Sequence, residues 1–110
     1  MKKLLLEDGK ILTFNDDDTF RMQNPTPTGD ETNYDKTGTF FMESENDASY
    51  NLVLNFIDQW EDGVYKPYKN KLDVKIQIFK NENKIRLLRW RLNNEDSNAS
   101  EGQMFSFKQV

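Results

Sequence analysis

Three consecutive aspartates, Asp16 to Asp18, form the most conspicuous acidic run in a chain of 110 residues. A calcium loop spreads its oxygen ligands along a segment that folds back on the ion, in the pattern D-x-[DN]-x-[DN]-G followed by a distant Glu. Adjacent side chains diverge instead, and the required Gly is missing from "NDDDTF". The spacing therefore predicts a polar turn between two short apolar runs, "ILTF" and "TFRM", and no metal site. Other reactive chemistry is scarce. With no His and no Cys, the chain lacks the means for zinc or iron–sulfur ligation, thiol catalysis, disulfides and imidazole-based triads. No two carboxylates stand where a fold would reliably pair them for glycosidase chemistry. The expectation is a protein that is not an enzyme and needs no cofactor.

Binding is the chemistry left to weigh, and the aromatic residues carry it. The segment "DQWEDGVYKPYKN", residues 58–70, sets Trp60, Tyr65 and Tyr68 among charges and beside Pro67. Surface aromatics next to charges are enriched in binding hot spots and at pocket mouths. The plainer alternative is a loop that folds over one end of a barrel and plugs it. A second cluster, Arg86, Arg89, Trp90 and Arg91, combines an aromatic with cations and so could contact an anionic ligand. Strand alternation, however, sends Arg89 and Arg91 to the face opposite Trp90, where acidic neighbours can pair with them. The candidate ligand- or partner-binding residues are thus Trp60, Tyr65, Tyr68 and Trp90. Asn98-Ala99-Ser100 is a formal glycosylation sequon, read here as chance.

These residues must be positioned by strands. Runs rich in β-branched and aromatic side chains, separated by Asn, Asp, Gly and Lys, predict strands at 2–6, 10–14, 19–23, 38–43, 49–57, 71–79, 84–92 and 103–109. Leu72, Val74, Ile76 and Ile78 alternate with Asp73, Lys75 and Gln77, giving one buried and one solvated face. In "KIRLLRWRL" the alternation slips between Leu87 and Leu88, which predicts a β-bulge there. Residues 48–61 are ambiguous. Tyr50, Leu52, Leu54 and Phe56 alternate as in a strand, while Tyr50, Val53, Leu54, Ile57 and Trp60 also fit a helix capped by Asp47 and ended by Gly63. Strand is the preferred reading, because Asn51 and Asn55 are poor helix formers. The helical alternative would make the fold α+β. Residues 24–36, "NPTPTGDETNYDK", read as loop.

One domain spanning 1–110 is expected from this length. The balance of 15 basic against 19 acidic residues gives a net charge of -4, which disfavours general binding to nucleic acid. No membrane segment is expected: the apolar run after "MKK" is only Leu4 to Leu6, too short for a leader or a span. The reading is a cytoplasmic protein, although an extracytoplasmic one whose leader has been removed would look the same.

Residues Leu12, Thr13, Phe14, Asn15, Asp17, Thr19 and Phe20, then Gly38, Thr39 and Phe40, then the apolar "YNLVLNF", resemble small bacterial lipocalin-like, calycin-type domains over about residues 10–56. Such domains carry an "LTF-N-x-D-G-T-F" hairpin, a "G-T-W/F" strand and an apolar strand. Asp18 stands where the family usually has Gly, and "MKKLLL" replaces its Trp-containing first strand. The resemblance implies an antiparallel up-and-down barrel or half-barrel, no catalytic residues, and an apolar ligand between the strands.

Two functional readings follow. The first is a noncatalytic binding module that holds a small apolar ligand or a protein partner through the open end and the aromatic loop. The second is an acidic protein–protein inhibitor of the immunity or phage anti-defence type, acting through its surface. An unpaired edge at Lys2 to Leu6 or Phe105 to Val110 could also pair with a second copy.

Overall fold

The computed structural model describes residues 2–24, 35–61, 63–97 and 102–109, and every element in it is a strand. In chain order these are β1 (Lys2–Leu6), β2 (Ile11–Phe14), β3 (Thr19–Gln23), β4 (Lys36–Glu45), β5 (Ser49–Glu61), β6 (Val64–Phe79), β7 (Lys84–Leu92), β8 (Glu95–Ser97) and β9 (Met104–Gln109). Each of the first seven pairs antiparallel with the next. Strands β8 and β9 share the far edge of β7, and β9 then pairs with β1, so the sheet closes into an antiparallel eight-stranded barrel. The helical alternative at 48–61 is thereby overturned. The edges left open by the sequence reading meet one another, with Leu4, Leu5 and Leu6 in register with Gln109, Lys108 and Phe107.

Tight turns set the register of the meander. Gly9 (φ 92°) supplies the left-handed backbone between β1 and β2. Between β2 and β3 the same task falls to Asp18 (φ 65°), one of the few side chains that tolerate that region. Asp17 caps this turn, accepting hydrogen bonds from the Thr19 amide at 3.2 Å and the Thr19 hydroxyl at 2.5 Å. Asp16 to Asp18 are therefore turn residues, and among the described residues no acidic group forms a metal-binding cluster. The sequence reading did not foresee β8. Its hairpin turns on Asn93 and Asn94, both left-handed (φ 53° and 68°), as a two-residue primed turn requires.

An eight-stranded barrel is just wide enough for side chains to fill. One continuous cluster of buried residues packs the interior, including Leu12, Phe14 and Phe20 from the β2–β3 hairpin and Leu72, Val74, Ile76 and Ile78 from β6. Leu4 is fully buried and Phe20 is 1% exposed. Phe20 meets Phe56 edge to face at 5.0 Å. Gly38 is in register with both Phe20 and Phe56, and its lack of a side chain permits that contact. A Cβ there would overlap the Asn55 carbonyl oxygen and lie 2.9 Å from the Phe20 ring.

The bulge foreseen in β7 is present. Ile76 faces Leu87 and Lys75 faces Arg89, which leaves Leu88 unmatched and returns Trp90 to the same side as Leu87. On the outer face the alternation is less simple than the sequence suggests. Asp73 is buried there, held by Arg89 at 3.3 Å, and Val53, in register with Phe41 and Lys75, is buried too.

Candidate functional site

The expected aromatic loop at 58–70 is a correction to the sequence reading, because it is a β-hairpin. Strand β5 continues to Glu61 and β6 begins at Val64, with Asp58, Gln59, Trp60 and Glu61 facing Pro67, Lys66, Tyr65 and Val64. The lower and upper parts of the two strands are out of step. Phe56 faces Leu72, so Ile57 stands against the four residues Tyr68 to Lys71. Such an irregularity bends a ribbon and increases its twist. Beyond it the hairpin carries an exposed apolar group: Ile57, Trp60, Val64 and Tyr65 are all exposed large hydrophobics. Prolonged β pairing, rather than loop, explains how Trp60 and Tyr65 become cross-strand neighbours.

The structure brings together two of the four candidate residues. The rings of Trp60 and Tyr65 meet edge to face, 5.0 Å between centroids at 72°, and are 41% and 37% exposed. Tyr68 lies apart from them, partly buried against the barrel core, with the Lys36 ammonium 5.7 Å from its ring centroid. Trp90 is likewise partly buried against the core, in register with Val74. Its flanking cations are paired as strand alternation implies, Arg89 with Asp73 and Arg91 with Asp96 at 3.0 Å. The Asp96 carboxylate raises the Arg91 pKa above its ordinary value, chiefly through that hydrogen bond. Arg86 lies 5.6 Å from the Phe79 ring centroid.

Beside the hairpin, the outer wall of β3 and β4 forms a recess of about 360 Å³. Tyr65 and Ile57 line it together with Asn15, Thr37, Thr39 and Asp58. Arg21 and Thr19 add a guanidinium and a hydroxyl. Arg21 is also 3.5 Å from Asp35, and the Asn15 amide donates to the Thr19 hydroxyl at 3.0 Å. Thr19, Arg21, Thr37 and Thr39 occupy the outward phase of their strands, opposite to Phe20 and Gly38. Alternation within the strand expected at 19–23 puts Thr19 and Arg21 in that phase, whereas Thr37 lies before the strand expected at 38–43. The bend at Ile57, which carries Tyr65 to this wall, has no sequence signal.

Other recesses lie elsewhere. One of about 360 Å³ sits at the β1–β9 seam, lined by Leu5, Leu6, Gly9 and Phe107. Another, of about 220 Å³, lies at the rim where Lys2 Nζ donates to the Tyr50 hydroxyl at 2.8 Å. At the rim nearer the hairpin the interior turns polar, with Lys36 and Gln59 in register and both buried. The sequon Asn98-Ala99-Ser100 and most of the segment 24–36 lie outside the described residues. No described helix is long and apolar enough to cross a membrane. In comparisons with family models, curated proteins and solved structures, nothing matches this chain.

Proposed function

We propose that this chain is a noncatalytic binding module, a small barrel of the lipocalin-like kind, that holds its partner against the outer wall at the Trp60–Tyr65 hairpin. The observation that carries this reading is the contrast between a barrel interior packed by one continuous side-chain cluster and an aromatic pair left exposed outside it. An eight-stranded barrel can be filled by its side chains or hold one small ligand, and here the described inward side chains form one continuous apolar cluster. Exposed Trp and Tyr, by contrast, present large rigid surfaces with a polar tip, the composition of binding hot spots. A photo-crosslinking side chain at position 60, introduced into the protein in its own cells, tests the reading. Adducts at position 60 and none from a probe at Met104, an exposed residue of β9, are expected. Equal labelling from both positions overturns it.

A second reading, the acidic surface inhibitor, draws support from the net charge of -4 and from Asp16, Asp17 and Asp18, all exposed on the turn beside the recess. It predicts complexes that weaken steeply with added salt.

A further inference from the structure

We infer that the recess under the hairpin is a saccharide site, its ligand a neutral sugar chain lying across Tyr65; this rests on the outer-wall reading above. The argument starts from hydrogen-bonding capacity that the protein itself leaves unused. Among the described residues, the hydroxyls of Thr37 and Thr39, the Asp58 carboxylate and the Asn15 side-chain carbonyl make no hydrogen bond or ion pair, and all four residues line the same recess. They sit beside the Tyr65 ring, whose edge-to-face contact with Trp60 supports it from the hairpin side.

Charge and polarity then select the ligand class. A phosphate or carboxylate ligand would need an excess of cations, yet Arg21 is shared with Asp35 and faces Asp58 across the recess lining. A lipid chain would need continuous apolar walls, whereas among the described lining residues Ile57 and Tyr65 are set between six polar side chains, Asn15, Thr19, Arg21, Thr37, Thr39 and Asp58. What remains is a ligand whose every polar group both donates and accepts. Sugar hydroxyls do so, and carboxylate, guanidinium, amide and threonine hydroxyl together offer both functions. A pyranose also has a C–H face that suits the flat side of an aromatic ring, while the tyrosine hydroxyl stays wet. A volume of about 360 Å³ falls within the range of small-molecule sites.

The test is an amide NMR titration of the whole chain with neutral oligosaccharides: cellohexaose, xylohexaose, mannohexaose, laminarihexaose, maltohexaose and chitohexaose. At least one should give saturable shifts at Thr19, Thr37, Thr39, Ile57 and Tyr65, and an oligogalacturonate of similar length should not. Tyr65→Ala and Asp58→Asn should abolish the saturation, and Met104→Ala should leave it intact. Thr39→Val, which keeps the β-branched shape, should also weaken binding and guards against misfolding of the tyrosine variant. The inference is overturned if none of the six sugars shifts the recess resonances saturably, or if binding survives in both Tyr65→Ala and Thr39→Val. Crosslinks at position 60 without sugar binding would sink the saccharide assignment alone. Loss of both would remove the outer-wall reading as well.

Discussion

From Ser49 to Phe56, β5 lies between β4 and β6 with Leu52, Leu54 and Phe56 buried in the barrel; from Asp58 to Glu61 the same strand leads into a hairpin with exposed aromatics. Strand β6 differs in the same way. Its residues Leu72 to Phe79 pair on both edges, with β5 and β7, whereas Val64 to Pro67 pair only with β5 among the described strands. The open edge carries Lys66, Pro67 and Lys69, side chains that discourage a further strand from adding there. One pair of strands thus supplies both a buried wall of the barrel and an exposed aromatic platform. The bend at Ile57 separates them. Leu52, Leu54 and Phe56 before it are spent on folding, whereas Trp60, Val64 and Tyr65 beyond it are exposed to meet something else.

Breaking the upper half should cost most. Phe56→Ala removes a buried ring that touches Phe20 and is expected to lose about 3–5 kcal/mol of stability in chemical denaturation. Gly38→Ala should be comparably severe, since the new methyl meets the Asn55 backbone oxygen and β4 and β5 would have to part. Native-state hydrogen exchange should sharpen the contrast next. Amides of Leu52 to Phe56 should exchange only through global opening, and those of Val64 to Lys69 through local opening at much lower free energy. If both sets exchange alike, the two halves are one cooperative unit and the division fails.

Trp60→Ala should cost far less than Phe56→Ala, about 1 kcal/mol or under, because it removes one half-exposed ring and its contact with Tyr65. A loss near that of Phe56→Ala would mean that the hairpin is part of the core. The smallest effect belongs to the turn beside the recess. Hydrogen bonds from the Thr19 hydroxyl and amide hold the Asp17 carboxyl below its ordinary pKa. A depressed folded value contributes stability above the unfolded pKa and loses it as pH falls through the folded one. Carboxyl NMR titration should show Asp17 titrating below the usual aspartate value, and Thr19→Val should move it back up.

Much of the barrel was readable in advance because period-2 alternation is a local property of each strand. Leu72 to Ile78 and the phase slip at Leu88 both follow from neighbouring residues, and both reappear in the structure. The hairpin was not readable, since Trp60, Lys66, Pro67 and Tyr68 carry the polarity and proline content of a loop. Only pairing across the turn makes them strand. Asn93-Asn94 carries a turn signal of its own, and it sends Asn93 back to β6, where its backbone amide donates to the Lys71 carbonyl at 2.7 Å. Of the site, Trp60 and Tyr65 were visible as residue types. Thr37, Thr39 and Asp58 were not, because they become a group only when β5 bends toward the wall.

The β1–β9 seam has a kinetic consequence. Every other pairing joins strands that are consecutive or next but one in the chain, whereas this one brings together its two distant ends across three register pairs. Closing so long a loop is the slow entropic step, so the open sheet should assemble first and the seam zip last. A disulfide between Leu5→Cys and Lys108→Cys, which face each other across it, should then slow unfolding more than it speeds folding. Stopped-flow chevrons of the oxidised and reduced forms would show whether the barrel breathes along this line.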